Sequence, residues 1–263
     1  MDYQTILVEE KNAVGYLTLN RPKQLNSFNQ TMHKEVASVL KTWSKDSTIR
    51  AVVLSAEGRG FCAGQDLGDR AVAPDADAPD LGLSIETYYN PLIKLITDMP
   101  KPVICAVNGV AAGAGANIAL ACDLVLAAKS ASFIQVFCRL GLVPDSGGTW
   151  FLPRVIGRAR AMGLAVLGDK LSAEKAMAWG MIWQVVEDDA LRSEASKLAE
   201  HLASQPTYGL SLIKKAINVS ADNSLEDQLI LERDLQRLAG RSADYKEGVQ
   251  AFMQKRTPIY QGR

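Results

Sequence analysis

Three short runs in this chain are apolar and carry no charge: AVVLS at 51–55, PVICAVN at 102–108 and LVLAA at 124–128. Their shortness makes them buried strands rather than helices or membrane spans. The first leads into a loop of small residues, FCAGQD at 61–66. The second runs into another, NGVAAGAGAN at 108–117, which opens a helix through GAGANIALACD. Helical spacing in ETYYNPLIKLITDM separates the two units. Strand, loop and helix therefore repeat, which is the order of an α/β fold.

Upstream, residues 4–19 alternate as strands, with Lys11 and Asn12 at the hairpin turn. Met32, Val36, Leu40 and Trp43 then share one helical face, with Asn29 as the candidate cap. Beyond residue 155 the chain reads as a series of helices, the last ending before Pro258. The expected division is a core over 1–200 and a helical region over 201–263. The stretch RAVAPDADAPDLGLS at 70–84 has no periodicity and reads as a mobile loop near a site.

Composition narrows the function classes. Lys plus Arg equals Asp plus Glu, at 29 each, so the chain lacks the basic surplus of a nucleic-acid binder. Its four cysteines, Cys62, Cys105, Cys122 and Cys138, form no CxxC pair, and only His33 and His201 could join them. No metal site is expected. All four lie in apolar or glycine-rich surroundings and read as buried free thiols, which fits a reducing cytosol and a cytoplasmic location. MDYQTILVEEKNAVGYLTLN has early acidic residues and no apolar run of signal-peptide length. The longest apolar run, GVAAGAGANIALA, is too short and too rich in glycine for a membrane span.

The two small-residue loops admit two readings. Their glycines let backbone N–H groups approach a ligand, and two such donors aimed at one carbonyl oxygen form an oxyanion hole. Alternatively, the glycines only let strand and helix pack closely. GAGANI lacks the closing glycine of a dinucleotide fingerprint. A third loop, GLVPDSGGTW at 141–150, sets Asp145 just ahead of a helix. Spacing alone favours a capping role there.

Several motifs in register extend this reading. NRPKQLNSF, GRGFCAGQDL, KPVICAVNGVAAGAGAN, CDLVLAA, LGLVPDSGGTWFLPR and SADYKEGVQAFMQKR, in this order, resemble the crotonase (enoyl-CoA hydratase/isomerase) superfamily over essentially the whole chain. The resemblance implies a spiral of ββα turns with a helical C-terminal region that builds trimers, often paired into hexamers. It implies an acyl thioester of coenzyme A as substrate, the coenzyme being part of the substrate and no separate cofactor being needed. It implies an oxyanion hole from the backbone N–H groups of Ala63 and Ala114. Ala114 stands where the family often has glycine, and a backbone donor tolerates that change. Lys23 and Leu25, with Ala63, Gly64, Gln65 and Asp66, match the segments that line the coenzyme arm. Phe252 and Lys255 match a C-terminal pair that reaches a neighbouring subunit's adenine and phosphates.

Hydratases of this family activate water with two glutamates. Asn117 and Phe137 stand at those positions here, and neither an amide nor a phenyl ring serves as a general base. Efficient water addition is not expected. Asn117 is left to orient a ligand or a water, or to cap its helix. The V-P-D-x-G-G loop carries an acid in family isomerases and in a dehalogenase, and it faces the acyl end of the substrate. Asp145 is thus the expected proton shuttle, with Phe137, Leu142, Val143 and Trp150 about the same pocket. GRGFCAGQDLGDR, PDSGGTW, AWGMIWQVV and LAGRSADYKEGV are similar to one branch, the 2-(1,2-epoxy-1,2-dihydrophenyl)acetyl-CoA isomerases of aerobic phenylacetate degradation. That branch turns a ring-epoxide thioester into an oxepin thioester and is associated with moving a 3,4 double bond to the 2,3 position. The competing expectations are a Δ3,Δ2-enoyl-CoA isomerase of fatty-acid oxidation, an enzyme using Asp145 as nucleophile, and a binding protein of the same fold with little catalysis.

Overall fold

A computed structural model describes residues 3–66, 68 and 80–263 of the chain. Most of the 70–84 stretch read as a loop lies outside them. Its last residues begin a helix, α2 (Leu81–Ser84), capped by the Asp80 carboxylate on the Leu83 N–H at 3.2 Å.

The chain opens on a hairpin, β1 (Ile6–Lys11) and β2 (Val14–Leu19), paired antiparallel with Ile6 opposite Leu19. Its turn is Asn12–Ala13, one residue later than expected, and both residues have positive φ, 52° and 61°. That is the twist a two-residue hairpin needs. Next, α1 (Gln30–Lys45) starts where Asn29 Oδ1 accepts the Met32 N–H at 2.9 Å. Its buried face holds Met32, Val36, Leu40 and Trp43, as the spacing predicts, together with His33 and Val39. Gly15 of β2 lies flat beneath Trp43, since a Cβ there would sit 2.8 Å from the indole ring.

From here, strands alternate between two sheets. β3 (Ala51–Ala56), β5 (Val103–Val107) and β7 (Leu124–Ala128) join one sheet in the order β1-β2-β3-β5-β7-β10, where β10 is Gln184–Val186. The strand after each of the three, β4 (Gly60–Cys62), β6 (Val110–Ala112) and β8 (Ser132–Ile134), joins a second sheet that ends on β9 (Lys170–Ser172). All pairs among β2, β3, β5, β7 and β10 are parallel, as are β4–β6 and β6–β8. Each turn of the chain therefore lays one strand in each sheet before a helix carries it back, which is the expected spiral of ββα turns. The first return runs through α2, a π-helical turn Ile85–Tyr89 and α3 (Asn90–Thr97); the second is α4 (Ala114–Leu120). The apolar runs sit at the centre: Val52, Ile104, Cys105, Val107 and Ala127 are all within 1% of full burial.

After β8 come a 3-10 helix Val136–Leu140, α5 (Gly148–Ile156), α6 (Arg158–Leu167) and α7 (Ala173–Ala178). α8 (Leu191–Ser204) continues through residue 200 and packs across the strands of the larger sheet. The helical region beyond it is α9 (Thr207–Ser220), α10 (Leu225–Ala239) and α11 (Ala243–Met253). Polar anchors tie this region down. Lys214 of α9 bonds the Asp123 carboxylate at 2.8 Å and the Ile96 carbonyl at 2.9 Å. Arg50 spans Thr207 Oγ1 and the Tyr260 carbonyl, both at 2.9 Å. The Asp244 carboxylate accepts the N–H groups of Gln261 and Gly262, folding the C-terminal tail onto α11. α9 and α10 nonetheless leave Ile213, Ile217, Leu225, Leu229 and Ile230 exposed.

One buried ammonium closes α1. Lys101 Nζ donates to the carbonyls of Trp43, Asp46 and Ile49 at 2.6, 2.8 and 2.7 Å, groups at and beyond the helix end that lack a repeating partner. Lys101→Met leaves those buried acceptors without their donor. The variant is expected to lose roughly 2–3 kcal/mol of stability, read from the urea midpoint, because unsatisfied buried acceptors carry the desolvation cost in full.

Candidate active site

The loop after β4 is held as an extra strand against residues 25–28. The Ala63 N–H donates to the Leu25 carbonyl at 2.9 Å, the Phe28 N–H to the Gly64 carbonyl at 2.7 Å, and the Asp66 N–H to the Phe28 carbonyl at 2.9 Å. Ala63 is therefore not an oxyanion donor, contrary to expectation, since its N–H is spent on the ladder. In a regular strand, N–H groups two residues apart point the same way. Gly64 breaks that rule with φ +91°, so the Gln65 N–H leaves the side that Ala63 faces. Among the described residues the Gln65 N–H donates to no other protein group.

Ala114, the other residue expected to donate, stands at a helix start. Gly113 turns the chain with φ +54° and Ala114 opens α4, so its N–H has no acceptor inside the helix. The two loops touch here. A Cβ on Gly64 would lie 3.3 Å from Ala114 N and 3.0 Å from the Ala112 carbonyl. Gly115 presses on the other loop more closely still, with the Cys62 carbonyl oxygen 2.3 Å from where its Cβ would be. The packing reading of the glycines holds at Gly115, and that packing brings the Gly64–Gln65 segment against the start of α4 at Ala114.

The side chains of the first loop serve the loop itself. Gln65 Oε1 accepts the Tyr89 hydroxyl at 3.0 Å, from the π-helical turn. Asp66 pairs with Arg21 at 2.9 Å and accepts the Gly68 N–H at 3.0 Å. Neither side chain is presented as a ligand for the coenzyme arm. Lys23 is exposed on a 3-10 helix Pro22–Gln24, and Leu25 ends it at φ 47° with its side chain against Gly60.

Asp145 lies between the 3-10 helix and α5, half-buried. It is followed by two residues of positive φ, Ser146 at 53° and Gly147 at 79°. The N-cap of α5 is Gly147, and no side chain caps that helix. The capping reading of Asp145 ends there. Its Oδ1 accepts the Ser146 hydroxyl at 2.9 Å. Its main-chain carbonyl accepts the Gly148 N–H at 2.9 Å and Asn117 Nδ2 at 2.8 Å.

The residues expected around it divide. Phe137 is buried with its ring edge 3.7–3.8 Å from the Cβ position of Gly113, against the turn that presents Ala114. Leu142 is half-buried and donates its N–H to the Phe137 carbonyl at 2.9 Å. Val143, 75% exposed, forms an apolar lip beside the acid. The buried face of α5 is Gly148, Leu152 and Ile156, and position 150 turns to the outer side, where Arg154 lies 4.1 Å over the indole. Asn117 is fully buried, with its amide engaged at both ends, so it does not line an open pocket. Phe252 and Lys255 stand exposed at the end of α11 and beyond it, away from these contacts.

Three cysteines are buried as expected, but Cys138 is only partly so. Burial pushes the Cys62 thiol up to about 12, so beside the donor loop it is an inert neutral group. Among the described residues no group of three or more His, Cys, Asp or Glu could hold a metal ion, and no helix is long and apolar enough to cross a membrane.

Sequence reasoning did not foresee three features here: the unengaged N–H of Gln65, the Tyr89 hydroxyl on the Gln65 side chain, and Gln135, whose Nε2 donates to Asn117 Oδ1 at 2.8 Å. Gly64 was the one signal for the first. A glycine inside an extended segment marks a turn of the backbone.

Known proteins share this fold and much of this sequence. The family described as Enoyl-CoA hydratase/isomerase matches residues 9–263. The chain is 62% identical over 258 residues to the 1,2-epoxyphenylacetyl-CoA isomerase of Escherichia coli, covering 98% of each. It is 46% identical to a Rhodobacter capsulatus protein named "Probable enoyl-CoA hydratase", covering all of both. The crystal structure of an enoyl-CoA hydratase from Bacillus anthracis superposes with a TM-score of 0.93 at 34% identity, over 99% of this chain and 100% of that one. With the spiral of two sheets, the paired donor loops and these matches in agreement, the chain belongs to the enoyl-CoA hydratase/isomerase family.

Proposed function

We propose that this enzyme isomerises a coenzyme A thioester, ring-1,2-epoxyphenylacetyl-CoA to its oxepin form, and also moves a 3-enoyl double bond to the 2-position. The observation that carries the reading is the distribution of acids. Asp145 supplies a carboxylate on the loop whose backbone is bonded to α4, the helix that Ala114 opens. The two positions where family hydratases hold water carry a sealed amide, Asn117, and a buried ring, Phe137. An isomerisation gains and loses no atom, so it suits a site without an acid pair for water.

In the 3-enoyl reaction Asp145 removes a proton from C2. The electron pair moves toward the thioester oxygen, where the Gln65 and Ala114 N–H groups receive the charge. Such a donor contributes about 10²–10³ in rate. The double bond re-forms between C2 and C3, and the proton returns at C4. In the ring-epoxide reaction the same acid and donors act on a substrate of unchanged formula. The 62% identity to a protein named for that epoxide thioester supports this choice of acyl group. Buried Phe137, where a hydratase has an acid, gives the acyl end an aromatic wall.

Around this centre, Lys23, Leu25 and the backbone of Gly64 receive the coenzyme arm, which belongs to the substrate; no separate cofactor takes part. Residues 201–263 form the oligomerisation region of a homotrimer or a dimer of trimers. The exposed apolar residues of α9 and α10 support this, as large unpartnered patches mark interfaces. In that assembly Phe252 and Lys255 reach a neighbouring subunit's coenzyme. The free thiols fit a cytoplasmic location.

Turnover on a panel tests the reading. Epoxyphenylacetyl-CoA and a 3-enoyl-CoA should both be consumed without mass change, and some 2-enoyl product formed in heavy water should carry deuterium from exchange at the Asp145 carboxyl. Hydration of a 2-enoyl-CoA should be slower by roughly a hundredfold or more, the scale of a missing general base. Fast 3-hydroxyacyl-CoA formation by mass spectrometry would sink the assignment.

A further inference from the structure

Three elements frame the proposed chemistry: α4 with the Ala114 N–H, the 3-10 helix with Phe137, and the loop with Asp145. Two buried side-chain amides join all three. Gln135, just ahead of the 3-10 helix, donates through Nε2 to Asn117 Oδ1 at 2.8 Å. Asn117, one turn along α4 from Ala114, donates through Nδ2 to the Asp145 main-chain carbonyl at 2.8 Å. Gln135 is 3% exposed and Asn117 0%. Gly148 leaves room for the link, since a Cβ there would lie 2.4 Å from Asn117 Nδ2.

The relay has one direction. The Asp145 carbonyl only accepts, so Asn117 must turn its NH2 toward it. That leaves Asn117 Oδ1 as an acceptor, and its neighbour must donate. Glutamine does so with its own NH2, which leaves Gln135 Oε1 as a buried acceptor with no protein donor among the described residues. A stranded acceptor destabilises a fold. An apolar residue of similar shape at 135 would remove that acceptor but leave Asn117 Oδ1 without its donor, so the exchange is close to balanced in stability.

We propose that Gln135 and Asn117 are positioning residues for the isomerisation. Acting through the backbone of Asp145, they fix the reach of its carboxylate relative to the Ala114 donor on α4. The inference rests on Asp145 as the base. The carboxylate follows a backbone turned by two left-handed residues, and the Asn117 bond is the tie from that turn back to the oxyanion helix.

Gln135→Met keeps the volume and removes both the donor and the stranded acceptor. Its melting temperature should stay within a few degrees of the parent's, since one unpaired acceptor, Gln135 Oε1, is exchanged for another, Asn117 Oδ1. Its kcat on the 3-enoyl and ring-epoxide thioesters should fall about tenfold or more with KM within threefold, since a small misplacement of a reacting group is costly in rate. A residue that served only the fold would lower stability and raise KM together. Asn117→Ser, too short to hold both partners, should show the same split and stands in if the first variant folds poorly. In an Asp145→Asn background, Gln135→Met should remove nothing further from the residual rate, because effects through one group are not additive. A kcat within twofold of the parent, or a loss that persists in full without Asp145, overturns the relay while leaving the base in place. Near-normal turnover by Asp145→Asn alone overturns the base and the relay with it.

Discussion

Asp145→Asn is expected to bind the thioester within about tenfold of the parent while turnover falls by roughly a hundredfold or more, the usual cost of removing a general base. The substitution is nearly isosteric. An asparagine oxygen still accepts the Ser146 hydroxyl, and the main-chain carbonyl keeps its bonds to Gly148 and Asn117, so the left-handed turn survives. What is lost is the ability to take and return a proton. Calorimetry with an unreactive thioester gives the affinity, and rapid-quench turnover gives the rate. A rate within a fewfold of the parent would leave Asp145 with no role in the chemistry, since α5 takes no side-chain cap. Mass spectrometry of the quenched parent enzyme separates base from nucleophile. A covalent adduct on the loop peptide would mark attack on the substrate, whereas a shuttle leaves the protein mass unchanged.

The fold was legible wherever burial leaves a pattern in sequence. The charge-free runs at 51–55, 102–108 and 124–128 became the parallel strands at the centre of the larger sheet. The second sheet was not visible. β4, β6, β8 and β9 have three residues each, too few to show a period of two, and they form because the neighbouring turns of the spiral hold them in place. The hairpin turn slipped by one residue because Ala13 adopts positive φ, which alanine does not advertise as glycine or asparagine would.

At the site, the two halves of the problem differ in kind. Which loops meet was readable from small residues at strand ends. Which N–H within a loop remains available depends on hydrogen bonds to residues nearly forty positions away, as between Ala63 and Leu25. Asn117 was singled out in sequence at a hydratase acid position, but its partner Gln135 carried no signal, and only their distance shows the two amides bonded to each other. Trp150 was grouped with Asp145 by nearness in sequence; five residues along, the chain has entered α5, and the ring lies off that helix's buried face, under Arg154.

The contact between the donor loops gives the second large effect. In an ordinary helix position Gly→Ala is favourable by about 1 kcal/mol, because alanine has the higher helix propensity. Gly163 of α6 is such a position: nothing lies within 4 Å of its missing Cβ. Gly163→Ala should therefore raise the melting temperature slightly and leave kcat/KM unchanged. Gly115→Ala makes the same chemical change in α4 with the opposite outcome. Its Cβ would meet the Cys62 carbonyl oxygen at 2.3 Å, Cβ at 2.7 Å and Sγ at 2.8 Å. None of these is the end of a flexible chain, so the loop from Cys62 to Gln65 has to move off α4. In the proposed mechanism, moving it separates the Gln65 and Ala114 N–H groups that are to converge on one oxygen. The expected loss in kcat/KM is about a hundredfold or more, the cost of one misplaced oxyanion donor. Because the donors are backbone groups, no side-chain deletion can test them, and a displaced backbone is the available probe. A thioester analogue with a carbonyl that reports polarisation in the infrared should show a smaller red shift on the variant than on the parent. Unchanged polarisation and rate in a folded Gly115→Ala protein would mean that the charge of the enolate is held somewhere other than between these two loops.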